Sequence, residues 1–192
     1  MNLKVFIRHY KTNYRPNKEN ELDWFENQPS FESAIINAAE AKDENGKRYS
    51  HQRRIKRLAI NIAKTELLEN IDNLEKCDSF HSLWLMMNSL IKSLSGIGEL
   101  YVYDTALRFG AFLKLYPEKV YLHAGTRTGA NRLKIKKSNK DWIELGELPK
   151  EFQELPMNEV EDILCIYKDD FIKGKTDSAK SCARELASKK SC

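Results

Sequence analysis

Apolar residues recur at spacings of three and four along much of this chain, which is the period of an amphipathic helix. The two clearest stretches lie at 79–94 and 99–114, on either side of a glycine-containing segment. Further stripes predict a helix that begins after Ser30, a long helix that begins near Ser50, and a helix around 160–171. Strand patterns are scarce. The sequence therefore predicts an all-α fold, a helical bundle.

The distribution of prolines and polar residues divides the chain into three predicted parts. Residues 1–29 are largely polar and contain two prolines, so we expect an extended N-terminal arm. Residues 30–173 carry the helical stripes, and residues 174–192 form a polar, Lys- and Ser-rich tail. Within the helical part, Pro117 is predicted to open a further helix, since proline is favoured at a first helical position.

Bulk composition narrows the class of protein. At 192 residues the chain suffices for one domain, and its formal charge of +4 is only mildly basic. The four cysteines match no zinc or iron–sulfur spacing, so we expect reduced thiols, no metal and no cofactor. No apolar run reaches about 18 residues and no signal-peptide pattern opens the chain, which predicts a cytoplasmic protein that does not enter membranes. We also expect a monomer.

Positive charge is concentrated in two blocks that contain no acidic residue. Residues 46–65 hold seven Lys or Arg, and residues 127–140 hold six. Such blocks neutralise nucleic-acid phosphates and release counterions, although one block alone is more often a solvated helix face. The predicted phosphate contacts are Arg53, Arg54, Arg57, Arg127, Arg132, Lys134, Lys136 and Lys137. Tyr49 and His51, within the first block, either contact a base or are loop residues without a partner.

The segment Leu94-Ser95-Gly96-Ile97-Gly98 leads directly into the second of the two central helices. Glycines permit backbone conformations closed to other residues and let another group approach the main chain closely. The free N–H groups at a helix N-terminus favour an anion. We therefore predict that the amides of Gly96, Ile97 and Gly98 hold a nucleic-acid phosphate. The alternative is a tight corner between two helices that binds nothing.

The same segment, with the residues that follow it, resembles the helix-hairpin-helix DNA glycosylase superfamily, the endonuclease-III-like base-excision enzymes. In that family a Leu-Pro-Gly-Ile/Val-Gly hairpin opens a helix, and a loop leads to Val-Asp-x-His at the start of another. Here Ser95 stands at the usual proline, and Val120-Tyr121-Leu122-His123 matches the second motif in part. The resemblance covers roughly residues 29–133. It implies a helix-hairpin-helix motif, duplex DNA with an extruded base as the partner, and N-glycosidic hydrolysis.

Two departures from the family pattern decide which chemistry the resemblance implies. Leu100 occupies the position of the catalytic lysine in bifunctional members, so no lyase step is expected. Tyr121 occupies the position of the catalytic carboxylate. Two nearby acids, Asp104 and Glu118, are candidates to stabilise the oxocarbenium-like state or to activate water. Alternatively, Asp104 forms a surface ion pair with Arg108, and Glu118 only favours a helix dipole.

Three ring-bearing residues complete the predicted site. His123 contacts phosphate or substrate, or else it is a hydrogen-bonded core residue. Tyr121 and Tyr103 are assigned to a base pocket, in which an aromatic ring stacks on the extruded base. The alternative for Tyr121 is that its ring fills the core.

The predicted function is that of a DNA-binding helix-hairpin-helix protein. Its enzymatic form is a monofunctional DNA glycosylase for a damaged or modified base, acting in repair or in defence against modified foreign DNA. The alternatives are a catalytically inactive nucleic-acid-binding module and a helical protein-interaction domain whose basic patches meet an acidic partner.

Overall fold

The computed structural model describes residues 2–172, which fold into two compact units. Unit 2 is the continuous segment Lys18–Pro117. Unit 1 consists of the described residues up to Asn17 and those from Glu118 onward. The chain therefore enters unit 1 first, forms the whole of unit 2, and then returns to unit 1.

This division differs from the predicted one, which placed a single helical domain at 30–173. Polarity and prolines along a chain do not report which helices pack together, and here a unit boundary falls inside a helix, Arg15–Glu26. The predicted tail at 174–192 lies outside the described residues.

Most of the described chain is helical, which confirms the predominantly α character of the fold. The helices are α1 (Leu3–Asn13), α2 (Arg15–Glu26), α3 (Phe31–Ala39), α4 (Arg57–Glu69), α5 (Ile71–Glu75), α6 (Phe80–Ile91), α7 (Glu99–Phe112), α8 (Ala124–Arg132) and α9 (Met157–Ile166). Two short strands, β1 (Val120–Tyr121) and β2 (Trp142–Ile143), pair antiparallel in unit 1. This small sheet is an addition to the all-α prediction.

The N-terminal residues are helical, so the prediction of an extended arm is wrong. α1 buries Leu3, Phe6 and Tyr10, whose spacings of three and four place them on one face. α2 is largely polar, and Phe25 is its buried residue. Pro16 lies in the first turn of α2, where an amide has no partner within the helix, so the proline does not interrupt it.

Two predicted helix starts are also wrong. Ser50 begins a single 3-10 turn, Ser50–Gln52, and α4 starts only at Arg57. Pro117 is followed not by a helix but by β1, because Val120 and the residue after it pair with β2. Pairing between strands here overrides the local preference of proline, and Glu118 is therefore not at a helix N-terminus.

The core of unit 2 forms where α3, α4, α6 and α7 pack together. Ser30 caps α3 as predicted, and Ser79 caps α6; each side chain accepts a backbone N–H three residues on. α6 and α7 approach closely at Gly110, where an added Cβ would lie 3.1 Å from the Leu115 carbonyl oxygen and 3.2 Å from Leu83 Cδ2. The two central helices are thus held side by side by their packing.

The core of unit 1 joins α1, α8, α9 and the small sheet. The apolar stripe predicted around 160–171 is buried there. α8 meets α9 at Gly129, where an added Cβ would lie 2.0 Å from the Leu164 carbonyl oxygen, so only glycine permits this approach. This contact brings the N-terminal turn of α8 against the middle of α9.

Candidate functional site

The segment between α6 and α7 makes a tight turn in unit 2. Gly96 has a φ of +90°, a conformation that glycine adopts without strain. The Ile97 N–H donates to the Leu94 carbonyl at 3.0 Å, so this predicted anion donor is used within the turn. Gly98 is the N-cap of α7 and contributes no capping side chain. The donors left for an anion are therefore the amides of Gly96 and Gly98 and the first amides of α7.

The two glycines of this turn have different surroundings. An added Cβ on Gly96 would lie 3.6 Å from the Ala59 Cβ, so the turn packs on the first turn of α4. An added Cβ on Gly98 would meet nothing within 4 Å. The fold therefore has room for a side chain at Gly98, next to the first amides of α7.

An open cleft of about 650 Å³ lies beside α4 in unit 2. We call it the basic cleft; its lining residues are Glu40, Lys42, Gly46, Arg48, Arg53, Arg57, Ile60 and Asn61. Arg57 is the first residue of α4, which connects the cleft to the glycine turn through Ala59. Arg54, which is exposed, is not among the lining residues.

The charges of the basic cleft are only partly compensated. Glu40 forms ion pairs with Lys42 and with Lys64, the latter at 2.5 Å. Burial alone would raise the pKa of the Glu40 carboxyl, but the hydrogen bonds and charges of both lysines hold it below its ordinary value. Within residues 2–172, no acid lies in ion-pair distance of three other lining cations, Arg48, Arg53 and Arg57. The cleft therefore has an excess of positive charge.

A network of polar side chains runs between α2, the Ser50–Gln52 turn and α7, all in unit 2. Arg108 donates to Glu21 at 2.8 Å and to the Gln52 side-chain oxygen at 2.9 Å. The Gln52 amide group donates in turn to Asp104 at 2.7 Å, and His51 Nε2 donates to the same Asp104 oxygen at 2.9 Å. Asp104 and Arg108 are thus bridged by Gln52 and do not form the surface ion pair considered from their spacing.

The electrostatics of this network keep Asp104 ionised. Burial alone would raise the pKa of the Asp104 carboxyl, but the hydrogen bond from His51 and the charges of Arg108 and Lys18 hold it below its ordinary value. Since the folded-state pKa is depressed, the network stabilises the fold above the ordinary carboxyl pKa. That stabilisation is lost as the pH falls through the lowered value.

His51 is the solvent-facing end of the network. Its side chain is 41% exposed, whereas that of Asp104 is 12% exposed. An ionised carboxylate only accepts hydrogen bonds, so the Nε2 of His51 carries a proton, and in the neutral ring Nδ1 carries the lone pair. A histidine oriented in this way by a carboxylate is able to take a proton from a water molecule.

The other candidates for catalysis and base binding lie elsewhere. Glu118 is exposed and belongs to unit 1, whereas Asp104 belongs to unit 2. Tyr121 is buried in β1 of unit 1. Tyr103 is buried in unit 2, where its ring stands edge-on to Phe80 with ring centres 6.1 Å apart. Both tyrosines are thus 2% exposed or less.

Three of the six basic residues of the second block make contacts within unit 1. Arg127 donates to the Leu122 carbonyl at 3.1 Å, and Arg132 pairs with Asp169 at 2.6 Å. Lys137 donates to the Asn131 side chain. The exposed lysines of the block are Lys134, Lys136 and Lys140. His123 is 3% exposed and belongs to a buried cluster on the N-terminal turn of α8.

Sequence reasoning missed the residues that organise both polar clusters. Glu21 and Gln52 lie far from Arg108 along the chain, so no local pattern connects them. On α9, Glu161 and Cys165 are four residues apart, which puts both on one helix face. That spacing was visible, but it became meaningful only when α8 brought His123 beside them.

Comparison with protein-family models, with curated proteins and with solved structures finds no match. Among the helices of residues 2–172, none is both long and apolar enough to cross a bilayer.

Proposed function

We propose that unit 2 binds the phosphate backbone of duplex DNA through the glycine turn and the basic cleft. The observation that carries this proposal is the contact of Gly96 with Ala59, two residues from Arg57. The first turn of α4 thus packs against the glycine turn and also lines the cleft. The amides of the glycine turn and the arginines of the cleft therefore both adjoin the first turn of α4 in one unit.

These two features act on phosphates by different means. The N-terminal amides of α7 bind a single phosphate through directed hydrogen bonds, aided by the helix dipole. The arginines of the cleft neutralise neighbouring phosphates and release condensed counterions. Neither contact reads a base, so we expect affinity with little dependence on sequence.

Replacing Gly98 with valine is expected to weaken binding to a duplex oligonucleotide about tenfold or more, because charge-assisted hydrogen bonds contribute about 1.5–3 kcal/mol each. The fold has room for this side chain, so the loss is assigned to obstruction of the phosphate. Fluorescence anisotropy with labelled DNA measures the affinity, and thermal melting checks the fold.

A matched control is Gly146→Val in unit 1, since an added Cβ there also meets nothing within 4 Å. The control is expected to bind as the parent does. If Gly98→Val melts as the parent does and keeps full affinity, the turn is only a corner between two helices.

A second candidate function is hydrolysis of an N-glycosidic bond in the bound DNA, and the His51–Asp104 pair favours it. Asp104 orients His51, whose side chain is 41% exposed and lies two residues before Arg53 of the cleft. A water molecule activated there would attack C1′ of an extruded nucleotide, with the base as leaving group. Since Leu100 replaces the lysine needed for a lyase step, the product would be an abasic site in an intact strand.

Two simpler functions predict different results in the same assays. A binding module without catalysis would hold DNA in a salt-dependent manner and release no base. A helical protein-interaction domain would retain at most weak DNA binding, through general charge alone. Replacing the cleft arginines would then not change the salt dependence of that binding, for duplex or for single-stranded DNA.

A further inference from the structure

Three different metal-ligating side chains converge in the interior of unit 1. His123 caps α8, and Glu161 and Cys165 lie one turn apart on α9. One donor atom from each residue lies within 4.8 Å of the other two. His123 Nε2 also contacts the Glu161 carboxylate directly. His123 is 3% exposed and Glu161 is 4% exposed, whereas Cys165 is half-buried, so solvent reaches the cluster only at the cysteine.

The absence of a side chain at Gly125, in the first turn of α8, leaves room for the Cys165 sulfur. An added Cβ on Gly125 would lie 2.6 Å from Cys165 Sγ and 3.2 Å from the His123 ring. Any other residue at this position would push the thiol away from the imidazole. A histidine–glutamate ion pair alone would not require this space, whereas a site with three donors does.

A further hydroxyl supports the carboxylate. Thr126 Oγ1 donates to Glu161 at 2.7 Å, and it lies 2.6 Å from His123 Nε2. Carboxylates that bind metals are commonly held by such outer hydrogen bonds, which fix their orientation.

We propose that His123, Glu161 and Cys165 bind one Zn²⁺ ion. Imidazole nitrogen, carboxylate oxygen and thiolate sulfur are the three donor types of protein zinc sites, with bonds of about 2.0–2.3 Å. Thiolate and imidazole together disfavour Mg²⁺ and Ca²⁺, which prefer oxygen ligands. Two anionic ligands and a neutral imidazole balance the charge of a divalent ion, so the buried site is electrically neutral.

Binding requires a definite rearrangement of protons. The Cys165 thiol loses its proton to solvent, since the thiolate is the ligand. Burial opposes the charge of His123, but the hydrogen bonds and charges of Cys165 and Glu161 raise its pKa to about 10, so the ring also gives up a proton when Nε2 coordinates the metal. The proton that stays on the ring is then on Nδ1, which excludes the 3.2 Å hydrogen bond from the Gly125 N–H. Zinc binding therefore releases a proton from each of these two residues and changes the environment of the Gly125 amide.

The test uses Co²⁺ as a spectroscopic probe in place of Zn²⁺. The full chain, carrying Cys182→Ser and Cys192→Ser, is stripped with chelator and titrated with Co²⁺ alone. We expect a thiolate-to-cobalt charge-transfer band in the near ultraviolet that saturates at one metal per chain and disappears when Zn²⁺ is added. Cys165→Ser should abolish the band, and the matched control Cys77→Ser should retain it.

Two further measurements separate ligation from folding. Thr126→Val keeps the shape of its side chain and should weaken Zn²⁺ binding about 10–100-fold, the usual cost of losing an outer hydrogen bond to a ligand. In the parent chain, Zn²⁺ should shift the Gly125 amide signal in a ¹H–¹⁵N NMR spectrum, a result that needs no variant to fold. No charge-transfer band in the parent, or a band that persists in Cys165→Ser, would overturn the proposal and leave a buried hydrogen-bonded pair.

Discussion

Replacing Arg108 with methionine is expected to lower the free energy of unfolding by about 3–5 kcal/mol, the usual cost of removing one partner of a buried ion pair. The Arg108 side chain is 2% exposed and Glu21 is 15% exposed, so little water reaches the carboxylate that remains. The change also removes the donor to Gln52 and the guanidinium 3.9 Å from the centre of the Tyr49 ring. Urea denaturation of the full chain measures the loss.

The matched control for this prediction is Lys114→Met, which removes a cation from the same unit. Lys114 pairs with Glu26 at 3.5 Å, but its side chain is 75% exposed. We expect this change to cost less than about 1 kcal/mol, as for other exposed pairs. If Arg108→Met is as mild as the control, the polar network does not hold unit 2 together.

Replacing Asp104 with asparagine is expected to slow the release of a modified base about 10²–10⁴-fold, the usual contribution of general acid–base catalysis. One Asp104 oxygen accepts hydrogen bonds from both His51 and Gln52, and an amide nitrogen in its place would repel both donors. His51 would turn and lose the orientation of its Nδ1. DNA affinity should persist, because Asp104 is not a phosphate contact.

The measurement is single-turnover base release across duplexes that carry different modified bases. The strand should remain intact until alkali is added. His51→Gln should be as slow as Asp104→Asn, and Glu118→Gln should keep the full rate, since Glu118 is exposed in unit 1. A full rate in Asp104→Asn with an inactive Glu118→Gln would transfer the role to Glu118. If the parent binds DNA and releases no base, the chain is a binding protein.

The two central helices were predictable because their apolar residues recur along the sequence at the helical period. The stretches predicted at 79–94 and 99–114 correspond to α6 and α7; the buried residues of α6 recur every three or four positions, whereas α7 is buried along most of its length. α2 was not predicted because its sequence is mostly polar and carries no apolar stripe. The pairing of Val120 with Ile143 depends on residues 23 positions apart, and no local pattern contains that information.

The site was predictable only in part, for the same reason. The sequence singled out Asp104 by its place after the glycine turn, but its partners come from a separate loop. His123 was considered as a phosphate contact or a core residue, and the structure places it in the interior of unit 1. Whether a charged residue is a surface group or part of a buried network depends on long-range packing, as Arg108 shows.

The most direct test of the central claim compares two double variants in the salt dependence of duplex binding. Arg53→Gln with Arg57→Gln removes two cations that line the basic cleft, and Arg54→Gln with Lys56→Gln removes two exposed cations of the same segment that do not. Each phosphate contact contributes about 0.9 to the log–log slope, so the cleft variant should flatten it by about 1.8 and the control should leave it unchanged. Equal slopes in both variants would contradict a phosphate-binding cleft.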